Sequence, residues 1–417
     1  MPGAAVGILR DGAITTAYYG VADVTTGEPV VPGTRFSVGS LTKSMVATVV
    51  AGLAGAGRLS LDDRVAAQVP ELRGIGWAER ANVRDLLANR SGLPLRARLE
   101  FNLASRQGED DGALSRLAAD VAAADGPLAG VWSYTNVGWC LLGRVIESVT
   151  GAAWEDAMRH HLVDRAGMSG TSFASDPAPL HRASGHEMTS HGPVPVPPLV
   201  VRAYGPAGTS VVSTATDLLR FAAVHLEDSS LATLRAVAAD FGIHGWFDSW
   251  CLGWAWFDWN GGRVWGWDSV IRGERSVLRM LPDRRAAVVL MTNSTAGRAM
   301  YRSLLADLMR SLFGIRVPPM RLEAAPGAAG DLSRYVGVYA WPDRRVEVTP
   351  AGDGLVINDE HQATEALPID ERVFLVDPGD PDNPTVTFGA FDAAGRPRVL
   401  YLMLWGLPRL DETSDRG

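Results

Sequence analysis

The chain of 417 residues contains a single lysine, Lys43, which follows a serine by three positions in the sequence Ser40-Leu41-Thr42-Lys43. Every other cationic side chain is an arginine, which cannot release its proton in a protein, whereas a buried lysine can shift its pKa. Residues at i and i+3 share one face of a helix, so the Ser40 hydroxyl and the Lys43 amine would meet there. The spacing predicts a serine nucleophile activated by an amine, and the alternative is the chance occurrence of a short motif.

A second candidate motif is Trp132-Ser133-Tyr134-Thr135-Asn136, in which Tyr134 and Asn136 would present their side chains to one site. A free tyrosine, with a pKa of about 10, is a poor base. A neighbouring ammonium group favours the phenolate, so Tyr134 beside the lysine becomes a usable base. By itself the motif is equally compatible with a structural turn.

The elements that must position these residues begin with two predicted strands, Ala4–Leu9 and Ala13–Tyr19, joined by an Asp-Gly hairpin turn. After Gly39 the apolar residues recur at helical spacing, and a Gly-Ala-Gly sequence ends the run. Ser40 is therefore predicted at the N-terminal end of a buried helix, where backbone N–H groups are unpaired and carry partial positive charge.

The rest of the chain predicts an α+β fold with a mostly helical middle, a proline-rich loop over 192–198, and a final helix over 297–313. Further strands are predicted at Cys251–Phe257, Arg263–Trp267, Ser276–Leu281 and Ala286–Met291. A Pro-, Ala- and Gly-rich segment then precedes short strands typical of a small barrel.

The predicted domains are a catalytic domain over 1–316, a linker over 317–330 and a C-terminal β-barrel over 331–417. No nucleophile–base pair is found beyond the linker. We therefore expect the barrel to shape substrate access without supplying catalytic groups.

Together the motifs resemble those of the serine β-lactamase and penicillin-binding-protein superfamily, especially its branch of class C β-lactamases, D-alanyl-D-alanine carboxypeptidases and esterases. The resemblance spans roughly residues 2–315 and implies an antiparallel sheet flanked by helices with a helical subdomain. The region C-terminal to it resembles the lipocalin-like barrel appended to many such hydrolases. The flanking sequences that carry the resemblance include Phe36–Lys43, Gly57–Asp63, Val83–Pro94, Tyr134–Glu147, Pro206–Leu218 and Leu281–Asn293.

The resemblance implies a role for each motif residue. Ser40 would be the acylated nucleophile, and Lys43 and Tyr134 would share the general-base and general-acid work. Asn136 would hold a substrate amide or help to place the lysine. The oxyanion hole would combine the Ser40 backbone N–H with an N–H of the third-motif strand, and such donors typically supply much of the transition-state stabilisation.

The third motif departs from the family pattern, which is usually Lys-Thr-Gly or His-x-Gly. This chain has Trp267-Asp268-Ser269 there, with Val270 as the expected oxyanion donor. Trp267 cannot hold a substrate carboxylate as the usual cation does, and Asp268 would repel one unless it is paired. Ser269 leaves less room beside the nucleophile than glycine.

Two features near the third motif leave alternatives open. Arg272 or Arg275 could replace the lost cation. Seven of the 13 tryptophans fall between Trp246 and Trp267. They could form a packed pair of core strands, or an aromatic wall that includes Trp267 and binds a hydrophobic acyl group.

The composition limits the classes of function. A net charge of −8 without a basic cluster argues against nucleic-acid binding. No apolar run is long enough for a membrane span, and the N-terminus has the pattern of a strand, so we expect a cytoplasmic protein. Cys140 and Cys251 lie in hydrophobic runs and are expected to be buried free thiols. No nucleotide or metal motif is found, so no cofactor and no metal are expected.

The sequence thus predicts an esterase-like serine hydrolase that works through an acyl-enzyme on a small-molecule or peptide ester or amide. One alternative is an acyltransferase or peptide cyclase of secondary metabolism, in which an amine outcompetes water for the acyl group on Ser40. Similar two-domain relatives include stand-alone cyclases that release nonribosomal peptides. Another alternative is a non-catalytic protein that uses the fold only to bind a ligand, and the oligomeric state is left open.

Overall fold

Two large antiparallel sheets organise the chain in the computed structural model: a seven-stranded sheet and, after it, an eight-stranded and nearly closed barrel. The structure describes residues 1–93, 101–102, 104–123, 128–177, 181–320, 322–341, 344–359, 362–380 and 384–410. Pro94 of the sequence resemblance and residues 411–417 of the predicted barrel lie outside the described residues. The predicted combination of an α+β domain and an all-β barrel is confirmed.

The seven-stranded sheet has the strand order β2-β1-β11-β10-β9-β8-β7, and every neighbouring pair is antiparallel. Its strands are β1 (Gly3–Arg10), β2 (Ala13–Gly20), β7 (Ser249–Trp250), β8 (Ala255–Trp259), β9 (Gly262–Ile271), β10 (Glu274–Leu281) and β11 (Ala286–Thr292). Two smaller pairs are β3 (Phe36–Ser37) with β6 (Val212–Ser213), and β4 (Gly185–Thr189) with β5 (Gly192–Val196).

The described α-helices precede, interrupt and follow these strands. They are α1 (Leu41–Gly55), α2 (Val65–Gln68), α3 (Gly76–Arg80), α4 (Val83–Leu87), α5 (Ala113–Asp120), α6 (Asn136–Thr150), α7 (Trp154–Met158), α8 (Ala215–Glu227) and α9 (Arg298–Phe313). The helices from α2 to α7 form the helical middle that the sequence predicts.

The central strands of the sheet are covered on both faces. Every residue of β10 and β11 is buried, although only β11 has a near-continuous apolar sequence. On β9, Ser269 contacts the backbone at the start of α1, whereas the adjacent Asp268 contacts Tyr301 of α9. Because successive side chains of a strand point to opposite faces, α1 and α9 lie on opposite sides of the sheet.

The barrel follows the sheet domain and has the strand order β12 to β19 in sequence. A bridge between Tyr339 and Arg409, with a 2.8 Å bond from Leu410 N–H to Val338 O, joins its two ends. Aromatic rings fill part of its interior, where Phe388 lies 4.9 Å from Tyr335 between ring centroids. The strands are Gly337–Trp341, Arg344–Ala351, Gly354–Asp359, Gln362–Pro368, Val373–Leu375, Thr385–Phe391, Pro397–Leu402 and Trp405–Pro408.

The segment between Phe313 and Leu332 contains no helix or strand among its described residues, as a linker would. It still contacts the barrel, because Ala325 N–H donates to Pro368 O at 2.7 Å. The domain boundaries at 316 and 331 stay predictions.

Two predicted elements differ from the structure. The predicted strand Cys251–Phe257 is broken by a turn in which Cys251 N–H donates to Trp254 O at 2.7 Å. The predicted loop over 192–198 contains strand β5, although it carries Pro193 and Pro195. Since a two-residue turn joins β4 to β5, both prolines fall on non-hydrogen-bonded pairs, where the missing N–H costs no bond between the strands.

The barrel and the sheet domain share a buried polar contact, in which the Tyr401 hydroxyl donates to Trp132 O at 2.7 Å. Tyr401→Phe removes this donor and leaves the buried carbonyl unpaired, so we expect the free energy of unfolding to fall by about 1–3 kcal/mol. Thermal or urea unfolding measures the change. Tyr19→Phe, at a side chain that is 68% exposed, should leave stability unchanged. Equal stability of Tyr401→Phe and wild type would contradict the predicted contribution.

Candidate active site

Ser40 lies at the junction between β3 and α1, where its φ of −61° leads directly into the helix. The strand before it is fixed by the buried Glu274, which accepts hydrogen bonds from the Ser37 backbone N–H at 2.9 Å and from the Ser37 hydroxyl. Burial raises the pKa of Glu274. The hydroxyl of Ser276 donates to Ser37 O at 3.0 Å. These contacts anchor the approach to Ser40 on the central strand β10.

The Ser40 hydroxyl contacts both candidate bases. Lys43 Nζ donates to Ser40 Oγ at 3.2 Å, and the Tyr134 hydroxyl donates to the same oxygen at 3.1 Å. Lys43 Nζ also lies 4.9 Å from the centre of the Tyr134 ring. The structure therefore brings the three predicted catalytic residues together around one oxygen. Either base is placed to take the hydroxyl proton.

A turn at Ala207 and Gly208 completes the surroundings of the lysine, which is only 1% exposed. Lys43 Nζ donates to Ala207 O at 2.5 Å. Gly208 has a φ of +140°, and a Cβ there would lie 3.0 Å from Ser40 N and 2.5 Å from Gly39 C. Glycine is thus needed where this turn passes the backbone of the nucleophile.

The second motif is held by the start of α6. The Thr135 hydroxyl accepts a hydrogen bond from Gly138 N–H at 3.2 Å and caps the helix. Tyr134 therefore lies just before the helix and Asn136 in its first turn, and both side chains line one cavity with Ser40. The expected role of Asn136 in holding a substrate amide or placing the lysine stays a prediction.

A hairpin of the barrel, Leu402–Trp405, holds the second motif from the other side. Tyr134 N–H donates to Leu404 O at 3.1 Å, and Gly406 N–H donates to Ser133 Oγ at 3.1 Å. The Trp405 ring meets the Tyr134 ring edge-on, with centroids 6.0 Å apart. The residues of this hairpin carry no reactive group, so the sequence motifs do not reveal its place at the site. The position of Trp405 after a short turn was the only signal.

Trp267 of the third motif is 2% exposed and stacks on Tyr134, with ring centroids 5.8 Å apart and an interplanar angle of 30°. It also meets the buried Trp250 edge-on at 4.9 Å. Most of the tryptophan cluster is core, as for Trp250 and Trp254, while Trp246 and Trp267 line the cavity. Packing in the core therefore accounts for members such as Trp250 and Trp254, and an acyl-binding wall that includes Trp246 and Trp267 stays a prediction.

Asp268 is paired, which is the condition under which it was not expected to repel a substrate carboxylate. It forms an ion pair with Arg279 at 2.5 Å and accepts a hydrogen bond from the Tyr301 hydroxyl at 2.8 Å. The Arg279 guanidinium lies 4.1 Å from the centre of the Phe257 ring. With its charge balanced by a buried cation, Asp268 adds little net negative potential to the cavity.

Ser269 and Val270 lie beside the nucleophile on β9. The Ser40 backbone N–H donates to Ser269 Oγ at 2.8 Å. Ile271 and Glu274 flank a two-residue turn, so Val270 belongs to a non-hydrogen-bonded pair and its N–H points away from β10. Val270 also lines the cavity with Ser40, which is compatible with the expected oxyanion donor.

The cavity at Ser40 has a volume of about 450 Å³ and runs between the sheet domain and the barrel hairpin. Among the described residues, its charged lining comprises two arginines, Arg272 and Arg275, and two carboxylates, Glu187 and Asp268. Arg272 lies 3.9 Å from Glu187, and Arg275 Nε donates to Thr295 O at 2.5 Å. The apolar lining includes Phe101, Leu199, Tyr204, Trp246, Met403 and Trp405.

The cysteines lie apart from this site as buried free thiols, as predicted, and burial raises the pKa of the Cys251 thiol to about 12. Among the described residues, no group of three or more His, Cys, Asp or Glu side chains is placed to hold a metal ion. Within the same part of the chain, no helix combines the length and apolar character that crossing a membrane requires.

A serine hydroxyl between an amine and a phenol, at the start of a helix that packs on an antiparallel sheet, is an arrangement suited to a serine hydrolase. A family model described as Beta-lactamase matches residues 1–308. Penicillin-binding protein 4 of Amycolatopsis lactamdurans is 31% identical to the chain over 362 residues, which cover 81% of this chain and 93% of that protein. The chain therefore belongs to the β-lactamase and penicillin-binding-protein family of serine hydrolases, as the motifs indicated.

Solved structures show a similar arrangement that includes the barrel. SurE matches with a TM-score of 0.82 and 29% identity, over 98% of this chain and 95% of that chain. SurE with D-Leu matches over the same shares, with a TM-score of 0.80 and 28% identity. The octameric penicillin-binding protein homologue from Pyrococcus abyssi shares the fold at a TM-score of 0.66 and 21% identity, over 97% of this chain and 95% of that chain.

Substitutions of Lys43 distinguish its role as a proton acceptor from the effect of its positive charge. Lys43→Arg keeps the cation and Lys43→Met keeps the apolar stem, but neither side chain can take the Ser40 proton. We expect both variants to slow acylation by about 100-fold or more, the usual contribution of a general base. The burst of p-nitrophenol from an activated ester measures acylation. Ser40→Ala is the inactive control, and circular dichroism tests whether each variant is folded. Wild-type turnover of Lys43→Arg would contradict the role of the lysine as a base.

Proposed function

We propose that the chain transfers the acyl group of a neutral ester or amide to Ser40 and then releases it to water. The observation that carries the proposal is the double contact of Ser40 Oγ with Lys43 Nζ and the Tyr134 hydroxyl, at 3.2 and 3.1 Å. Membership of a serine hydrolase family supports it.

The proposed acylation begins when Ser40 Oγ attacks the substrate carbonyl carbon and its proton passes to Lys43 Nζ or to the Tyr134 oxygen. The carbonyl oxygen becomes an oxyanion, which backbone N–H donors stabilise. Collapse of this intermediate breaks the bond to the alcohol or amine, which leaves with the proton. In deacylation a water molecule gives its proton to the same base and attacks the ester, and Ser40 regains a proton as the acid departs.

Neutral donors are favoured by the charges of the cavity. The family's usual third-motif cation is replaced by Trp267, and Asp268 is balanced by Arg279 and so adds little charge to the cavity. Arg275 is 5% exposed and donates to a backbone carbonyl, and Arg272 lies near Glu187. The aromatic and aliphatic lining instead offers burial to an apolar acyl group.

Acyl donors that differ only in a carboxylate test this preference. Benzylpenicillin and its methyl ester share every other group, and p-nitrophenyl butyrate is a neutral reference. We expect the neutral compounds to acylate Ser40 about ten- to a hundredfold faster, since a carboxylate would lose hydration without gaining the charged hydrogen bond that the family's cation supplies. Mass spectrometry of Ser40 adducts measures each rate. Nitrocefin hydrolysis as fast as the best ester would refute the preference.

A protein that only binds ligands is the rival from another class. A fluorophosphonate probe distinguishes it, because the probe bonds covalently to an activated serine and not to an inert one. Labelling of wild type at Ser40 and loss of labelling in Ser40→Ala are expected. A folded wild-type protein that resists the probe would favour the non-catalytic rival.

Transfer of the acyl group to an amine is a second candidate, favoured by the likeness to SurE with D-Leu, which extends over the barrel at 28% identity. In this chain the barrel hairpin places Met403, Leu404 and Trp405 along the cavity. Apolar walls close to an acyl-enzyme limit the access of water and leave an amine acceptor at an advantage.

The partition between amine and water tests this candidate. D-Leucinamide added to the p-nitrophenyl ester reaction should give an amide product at the expense of the free acid. Trp405→Ala should lower the ratio of amide to acid because it opens the wall to water, whereas Trp405→Phe keeps an aromatic ring there and should stay near wild type. If the ratio of amide to acid depends neither on the amine concentration nor on the Trp405→Ala substitution, only hydrolysis is supported.

A further inference from the structure

The backbone N–H of Ser40 is already engaged by a side chain of the third motif. It donates to Ser269 Oγ at 2.8 Å, and Ser269 is 1% exposed. Gly39 has a φ of +55°, and a Cβ at this position would lie 2.0 Å from the Ser269 oxygen. Only glycine therefore fits beside this contact, which fixes the hydroxyl against the backbone of the nucleophile.

The Ser40 N–H is also expected to stabilise the oxyanion that forms during acyl transfer. An oxyanion forms beside Ser40 Oγ, and donors for it must lie about 2.7–3.1 Å from its position. An amide N–H carries one hydrogen and makes one strong, well-aligned bond at a time. The Ser269 oxygen, at 2.8 Å, is thus the acceptor with which a substrate oxygen must compete.

We propose that Ser269 Oγ holds the first oxyanion-hole donor in the unreacted enzyme and must release the Ser40 N–H before acyl transfer. The inference rests on the proposed acylation of Ser40. Because the displacement is the same for every acyl donor, Ser269 lowers the reactivity of the enzyme as a whole rather than selecting among donors. Deacylation needs the same N–H donor again, so the hydrogen bond to Ser269 slows both steps.

The released hydroxyl has a partner within the sheet. Ser276 is the residue opposite Ser269 in the pairing of β9 with β10, and side chains of opposed residues lie on the same face. The Ser276 hydroxyl donates to Ser37 O at 3.0 Å, so its own oxygen remains able to accept a further bond. Rotation of the Ser269 side chain toward Ser276 would free the Ser40 N–H while the hydroxyl stays hydrogen-bonded.

Ser269→Ala and Ser269→Gly test the proposal, since both remove the competing oxygen and glycine is the residue the family usually has there. We expect kcat/KM for p-nitrophenyl acetate and for p-nitrophenyl butyrate to rise by a similar factor of about two to ten, the worth of one net hydrogen bond. Phenylboronic acid, whose tetrahedral adduct with Ser40 places an oxygen in the hole, should inhibit more strongly by the same factor.

The matched control is Ser249→Ala, which also removes a buried hydroxyl from the seven-stranded sheet, where Ser249 bonds to Asp240 at 3.3 Å. It should leave the rates and the phenylboronic acid inhibition unchanged. Thermal unfolding shows whether each variant is folded, and Ser269→Gly serves if Ser269→Ala is not.

Two outcomes would overturn the inference, and they are distinguishable. If the Ser269 variants acylate at the wild-type rate or more slowly while the fluorophosphonate probe still labels Ser40, the hydroxyl is neutral or helps the oxyanion. This inference would then fail and the proposed function would stand. If the probe labels neither wild type nor the variants at Ser40, the proposed function fails and this inference fails with it.

Discussion

The burial of one amine is the constraint on which the rest of the site depends. Lys43 is 1% exposed, and a polar group removed from water is costly unless it finds hydrogen-bonding partners. Its partners include Ser40 Oγ at 3.2 Å in the same helix turn and, from distant parts of the chain, Ala207 O at 2.5 Å and the face of the Tyr134 ring at 4.9 Å. The helix, the turn before β6 and the second motif must therefore all fold correctly around the amine. The geometry that satisfies the buried amine is also the geometry that brings a candidate base to the serine hydroxyl.

The position of Tyr134 depends on the barrel as well. Tyr134 is held on one side by the start of α6 and on the other by Leu404 O at 3.1 Å and the Trp405 ring. Tyr401 adds a buried hydrogen bond to Trp132 O, two residues before Tyr134. The barrel thus fixes the backbone that carries the proposed catalytic tyrosine. These contacts show that the barrel positions the second motif, and its expected role in shaping substrate access stays a prediction.

How much the sequence could predict depends on how local each interaction is. The helix at Ser40 and its contact with Lys43 follow from spacing alone, and the family motifs gave Tyr134. The Asp268–Arg279 pair is diagonal in the β9–β10 register, where Asp268 opposes Val277, so a correct register would have indicated it. The contact of Trp405 with Tyr134 joins segments far apart in sequence that share no pattern, and only the folded chain reveals it.

In the third motif, successive side chains of strand β9 point to opposite faces of the sheet and make different contacts. Trp267 and Ser269 share a face of β9, and they contact Tyr134 and the Ser40 N–H respectively. Asp268 points to the other face, where Arg279 balances its charge. The departures from the family pattern that alter chemistry are therefore the two on the catalytic face: an aromatic ring in place of a cation, and a hydroxyl in place of a hydrogen. The first removes a binding group for substrate carboxylates, whereas the second competes for a donor that stabilises charge only in the transition state. In the proposed mechanism, recognition and reactivity are thus altered separately, by two positions on the same face of one strand.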